Sequence, residues 1–152
     1  MGHDSWTEMT YSTAVLINPE VKLMRGKTYP FVEMANVAPF TRNMRKITAR
    51  EFTGSGSRFA SGDTILARIT PCLENGKIAQ FREVEGNPAH GSTEFVVMRG
   101  RPGATDNDFV YYLTTWDYVR LYAIQRMVGT SGRQRVPVSS FDHLIVSVVS
   151  PQ

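Results

Sequence analysis

"GDTILARITPCLENGKIAQF" (62–81) is the stretch whose reading decides the fold. A Gly-Asp turn leads into "GDTILARIT" (62–70), whose β-branched content and length argue for a strand. On its pleat Ile65, Ala67 and Ile69 share one face, while Leu66 and Arg68 share the other. Asn75-Gly76 is a strong hairpin signal, so the chain is expected to return as a strand from Lys77 to Phe81.

Working outward, "TAVLI" (13–17) reads as a strand ending at Asn18-Pro19. "YPFVEMANV" (29–37) is apolar with a proline near its start, as an edge or entering strand permits. "GSGS" (54–57) is a loop on any reading. "STEFVVMR" (92–99) is apolar on both faces with only Glu94 intruding, which predicts a central strand. After Pro102-Gly103 the period changes: Phe109, Tyr112, Leu113, Trp116, Val119, Ala123 and Met127 follow helical spacing and are expected to face the core. Asp106 or Asn107 can cap that helix, and Thr114-Thr115, poor helix formers at its centre, allow a break into two. Gly129 stops it. "GTSGRQR" (129–135) is then a post-helical loop, followed by a short turn around Phe141 and a last strand, "LIVSVV" (144–149), before Pro151. The expected class is α+β: a mixed, mainly antiparallel β core with a long or broken amphipathic helix at residues 107–127 and a few short helices.

The 152 residues amount to one domain (1–152), large enough to bury roughly two-thirds of its unfolded surface. No apolar run nears the roughly 20 residues that span a bilayer, and the N-terminus lacks a signal-peptide pattern. A cytoplasmic location without membrane attachment is expected. The lone Cys72 has no intrachain partner and reads as a buried, inert thiol; with three scattered histidines it makes no zinc site.

The net charge of +3 is mild, but its distribution is not. Residues 42–58 hold Arg42, Arg45, Lys46, Arg50 and Arg58 against Glu51 alone, and residues 120–135 hold Arg120, Arg126, Arg133 and Arg135 against no acid. The two blocks carry +8 and the remainder −5. This segregation points to a polyanion-binding face; the alternative is that the blocks fold apart and are solvated separately.

Catalytic patterns do not rise above background. Glu20-Val21-Lys22 has an acid-x-lysine spacing, but no Pro-Asp pair precedes it, and it reads as a surface turn. "GTSGRQR" lacks the lysine and the following helix of a P-loop. "NPEV" and "NPAH" are not the Asn-Pro-Pro-aromatic site of an amino-methyltransferase, and three isolated histidines give no triad spacing. Nucleic acid suits the residues better: Arg and Lys neutralise phosphates, Arg and Gln have bidentate geometry for guanine and adenine, and small loop residues allow close backbone approach. Charge alone leaves "RQR" open between a phosphate or base contact and a solvated turn capping the preceding helix.

"GDTILARITPCLENGKIA", "GSTEFVVMR", "FVYYL", "MVGTSGRQRV" and "LIVSVVSPQ" occur in the order and spacing of the target recognition domains of type I restriction-modification specificity subunits, which residues 25–152 resemble. The resemblance implies sequence-specific binding of double-stranded DNA, reading one half of a bipartite target, with no catalysis or cofactor in this chain. Methylation and cleavage would belong to partner methyltransferase (modification) and restriction subunits using S-adenosylmethionine, ATP and Mg²⁺. No heptad pattern of the family's spacer helices is present, so one recognition domain is expected, without spacers or a second such domain. Because a motif common to such domains cannot encode a variable readout, Thr130, Ser131, Arg133, Gln134 and Arg135 are expected to grip the backbone. The block Arg42, Arg45, Lys46, Arg50 and Arg58 becomes the candidate for specificity, with Lys77 a further DNA contact. Arg68 and Glu94 are expected to form a structural ion pair. The competing readings are a small Mg²⁺-dependent nuclease and a single-strand or RNA-binding module; core-facing Tyr112 and Trp116 would argue against the latter.

Overall fold

The computed structural model describes residues 6–82 and 88–149. These form β1 (Trp6–Thr10), α1 (Tyr11–Ala14), β2 (Val15–Ile17), β3 (Thr28–Val32), β4 (Thr48–Glu51), β5 (Ser57–Phe59), β6 (Thr64–Ala67), β7 (Ile78–Gln80), β8 (Ala89–Gly91), β9 (Phe95–Gly100), α2 (Asn107–Thr115), α3 (Asp117–Gln125) and β10 (Ile145–Val149). The result is the expected α+β mixture. A central sheet runs β2-β9-β6-β7, an outer sheet runs β4-β3-β8-β5, and β1 pairs with β10 in a ribbon. Among the described strand pairs only β3 with β8 is parallel.

The pleat of the central sheet explains the layering. Ile65 and Ala67 of β6, with Phe95 and Val97 of β9, point into a core shared with Val32, Phe59 and Ala89 of the outer sheet. Leu66, Val96 and Met98 point the other way, into a core closed by Val110 and Leu113 of α2, Val119 and Ala123 of α3, Phe141 and the ribbon residues Val146 and Val148. A sheet buried on both faces needs apolar residues at consecutive positions, and this is why "FVVM" carries no polar alternation. At the strand ends, Asp63 is wholly buried and bound by Arg99 through two contacts of 2.7 and 2.9 Å.

Several elements depart from expectation for identifiable reasons. "TAVLI" is not one strand: the Thr10 side chain accepts from the Thr13 N–H and caps a helical turn, while Tyr11 reaches Thr114 through its hydroxyl (2.7 Å). Burial raises the Tyr11 pKa above the usual phenol value. The "ENG" hairpin is not tight either. Leu66 pairs with Ile78, so residues 68–76 form a longer turn with helical-type bonds such as Leu73 N–H to the Ile69 carbonyl. Gly76 still supplies the positive φ, +72°, with Phe40 against it. β3 ends at Val32 and Met34–Asn36 make a 3-10 turn. The parallel ladder to β8 starts at Phe31, beyond Pro30, so the missing proline N–H falls before the two-sided part of the strand.

The long helix is broken. Trp116 is extended (ψ 135°) between α2, capped by Asp106 accepting from the Phe109 N–H at 2.8 Å, and α3. The buried positions are Val110, Tyr111, Leu113, Thr114, Val119 and Ala123. Tyr112 and Trp116 are instead 60% and 55% exposed, so the expectation that they face the core is wrong. The true stripe of α2 lies one residue along, and the break resets the phase. Cys72 is half-buried rather than buried. Pro151, expected to close the last strand, lies outside the described residues.

Candidate nucleic-acid interface

The two basic sequence blocks do not form two patches; the fold sorts them differently. Arg50 on β4 stands opposite Tyr29 on β3, and Arg58 on β5 opposite His90 on β8, which in turn faces Phe31. Strand pairing thus sets arginines and aromatic rings side by side. The Arg50 guanidinium lies 3.9 Å from the Phe31 ring centroid and that of Arg58 4.8 Å from Phe52, while His90 is buried edge-on among Tyr29, Phe31 and Phe52. The His90 Nε2 is 3.0 Å from the Arg50 carbonyl, which fixes the ring. Stacking costs these arginines no charge: both remain exposed, Arg50 with a solvent-screened partner in Glu33 at 2.9 Å.

A groove runs beside this array in two sections that share Gly56 and Thr93. One section, about 620 Å³, is lined by Phe31, Glu33, Arg50, Ser55, His90 and Ser92 among others. The second, about 390 Å³, is lined by Asn18, Glu20, Ser57, Arg58, Arg68 and Phe95 among others. Gly56 has φ +100°, and a Cβ there would run into the Gly91 carbonyl, so glycine is needed where the sections meet.

The "GTSGRQR" loop reaches the same region. Val128 and Arg135 exchange both backbone hydrogen bonds at 3.0 Å, making residues 129–134 the tip of a small hairpin. Arg135 also bridges Ile69, and the Val136 N–H donates to the Arg68 carbonyl (2.9 Å), which ties the loop to the end of β6. The Arg135 guanidinium grips both oxygens of Glu94 at 2.8 to 3.0 Å, and this hydrogen bonding raises its pKa further. Glu94 therefore pairs with Arg135, not with Arg68. The two residues expected to pair are joined only by the backbone, Arg68 N–H to the Glu94 carbonyl at 2.9 Å. Thr130, Ser131 and Arg133 are exposed at the hairpin tip, and Gln134 is half-buried with its carbonyl accepting from Thr70.

Other expected site residues lie elsewhere. Arg42 donates to Gln80 (2.7 Å), Asp108 (2.7 Å) and the Tyr112 hydroxyl (3.1 Å), joining the central sheet to α2. Arg45 and Lys46 are exposed beside Asn36, whose backbone and side chain they hold through main-chain contacts. The Lys77 ammonium donates to the Met34 carbonyl at 3.3 Å, at the edge of the larger section. Arg50 and Arg58 of the first block and Arg68, just beyond β6, thus line one groove, and Arg135 of the second block is tied beside it through Glu94. Sequence reasoning missed Asn18, Ser57 and Thr93, short polar residues at turns or at a strand start that nothing local marks as functional.

A layered α+β domain with an arginine-lined groove between sheet edge and loop is the class these observations define. The chain is homologous to type I restriction enzyme specificity subunits. It is 28% identical over 146 residues to the Escherichia coli type I restriction enzyme EcoEI specificity subunit, and 24% identical over 144 residues to the EcoAI specificity subunit of the same organism. Each match covers 92% of the chain and 24% of the relative, so the chain spans about a quarter of their length. Two solved structures share the fold at 17% identity: the HsdS subunit from Thermoanaerobacter tengcongensis (TM-score 0.74; 95% of this chain, 38% of that one) and a chain from work on complex assembly and conformational transition of the type I R-M system (TM-score 0.73; 94% and 37%). No family model matches.

Proposed function

We propose that this chain is a target recognition module that binds double-stranded DNA sequence-specifically, reading one half of a bipartite site for a type I restriction-modification complex. The observation that carries this is the convergence of Arg50, Arg58 and Arg68 along one groove, with Arg135 held on Glu94, the residue between groove-lining Thr93 and Phe95, in a chain whose relatives are named specificity subunits. Guanidinium groups carried on strands, as those of Arg50 and Arg58 are, supply phosphate neutralisation and base-edge donors without a loop that must first be ordered. In this reading the module has no catalysis or cofactor of its own; methyltransferase and restriction subunits, working with S-adenosylmethionine, ATP and Mg²⁺, supply the chemistry. Arg50 and Arg58, on the outer sheet, are assigned to specificity, and Arg133 and Arg135 to the backbone. Arg42 is assigned to holding α2 in place.

Duplex-library binding at several salt concentrations tests this. Arg50→Ala or Arg58→Ala is expected to change the order of preferred sequences, with about 1–3 kcal/mol of discrimination lost per bidentate contact. Arg133→Ala is expected to weaken all duplexes alike and lower the salt slope by about one. Absence of duplex affinity at low salt, or stronger binding of single strands through the exposed Trp116 and Tyr118, would overturn the proposal. So would Mg²⁺-dependent DNA cleavage that Glu20→Gln abolishes.

A further inference from the structure

We propose that Arg68, Ser57 and Asn18 form a subsite for one phosphate oxyanion in the smaller section of the groove; its assignment to a DNA phosphate rests on the recognition reading above. Arg68 is rooted rigidly. Its N–H is held by the Glu94 carbonyl and its own carbonyl by the Val136 N–H, both at 2.9 Å, so the side chain leaves from a fixed point between sheet and loop. That side chain lines the cleft with Asn18, Ser57, Arg58 and Thr93 over Phe95.

Arg68 Nε and Ser57 Oγ are both shielded from solvent and make no hydrogen bond among the described residues. Donors left in that condition cost about 1–3 kcal/mol each, more where charged, so a ligand that accepts from them is strongly favoured. Among the described residues Arg68 forms no ion pair. Glu94, its nearest expected partner, is held by three hydrogen bonds from Arg135. Glu20 lines the same cleft but is exposed at its rim, where water screens it, and it forms no ion pair among the described residues.

The lining favours a ligand that presents acceptors. Asn18 uses its Oδ1 to accept from the Val97 N–H (3.0 Å), which leaves its NH₂, a donor, as the uncommitted end. With the Arg68 Nε–H and a rotatable Ser57 hydroxyl, the three groups of the subsite can all donate, while the Glu20 carboxylate in the same cleft is exposed to water. A phosphate presents acceptors only; a guanine edge presents two as well but carries no charge, and titration with inorganic phosphate separates the two.

The test combines a variant with a signal from the atom in question. Arg68→Met keeps the aliphatic stem and removes the guanidinium. It is expected to bind every duplex roughly tenfold more weakly with the salt slope lower by about one, and Arg68→Lys to recover part of the affinity as a point charge. In ¹⁵N-labelled protein the Arg68 Nε–H resonance is expected to shift on titration with inorganic phosphate and with duplex. A changed order of sequence preference in Arg68→Met, or an unchanged slope, overturns the phosphate assignment. If Arg68→Met fails to fold, the wild-type resonance decides alone: no shift with either titrant while duplex binds sinks the subsite. A shift with inorganic phosphate in a protein that binds no duplex supports the subsite as one for a free anion and removes the recognition reading instead.

Discussion

The join between α2 and the central sheet and the groove around Gly56 are both built on arginine, yet they put it to different uses. At the join, Arg99 closes on a wholly buried Asp63, and Arg42 ties the buried Gln80 to Asp108. Along the groove, Arg50 and Arg58 lie over aromatic rings with their charges in water, and the Arg135–Glu94 pair sits 45% and 23% exposed. Depth separates architecture from availability. A guanidinium committed to a buried acceptor cannot leave it without stranding that acceptor, whereas one resting on a ring or on a carboxylate that water still reaches can turn to a ligand at lower cost.

The largest effect that would break this contrast is at Asp63. Asp63→Ala leaves the Arg99 charge, whose pKa the Asp63 hydrogen bonds hold up, without its partner at the strand end, and is expected to cost about 3–5 kcal/mol in urea unfolding. A loss no larger than that of a surface pair would place the join and the groove in one class. Next in size, Arg42→Ala removes one partner of Gln80 and is expected to cost about 1–2 kcal/mol, with sequence preference in duplex binding unchanged. A changed preference with intact stability would return Arg42 to the readers. The smallest effect sharpens the contrast from the groove side: Glu94→Gln is expected to leave the unfolding midpoint unmoved while releasing Arg135, so that duplex binding tightens about threefold at low salt. Weaker binding would mean that Glu94 positions Arg135 and does not restrain it.

What could be read from the sequence follows the range of the interaction concerned. Strands β6 and β9, the two-sided central sheet, the Asp106 cap and the break near Thr115 all rest on neighbours within a few residues, and they are present. The helix stripe was misplaced because Phe109 and Val110 both begin an apolar series, and only packing against β9 and the ribbon selects the second. Arg68 and Glu94 do stand side by side, just beyond the end of β6 and just before the start of β9. Their expected ion pair is lost to Arg135, which lies 41 residues beyond Glu94 and is delivered by a hairpin whose closure no local pattern encodes. Likewise, residues 42–58 are adjacent in sequence yet divide between the α2 join and the outer sheet, since β4 begins at Thr48 and carries Arg50 away from Arg42.

The closeness of Gly56 to the Gly91 carbonyl bears on how the groove could be varied, for DNA or for any other ligand. Every side chain at position 56 would have to displace β8, so a library that randomises this position would mostly sample damaged folds, whatever their preference for DNA. Positions 50, 58 and 93, exposed and outside both cores, are where variation can be explored without taxing the scaffold. The two glycines thus act as the fixed pin of a groove whose other parts are exchangeable.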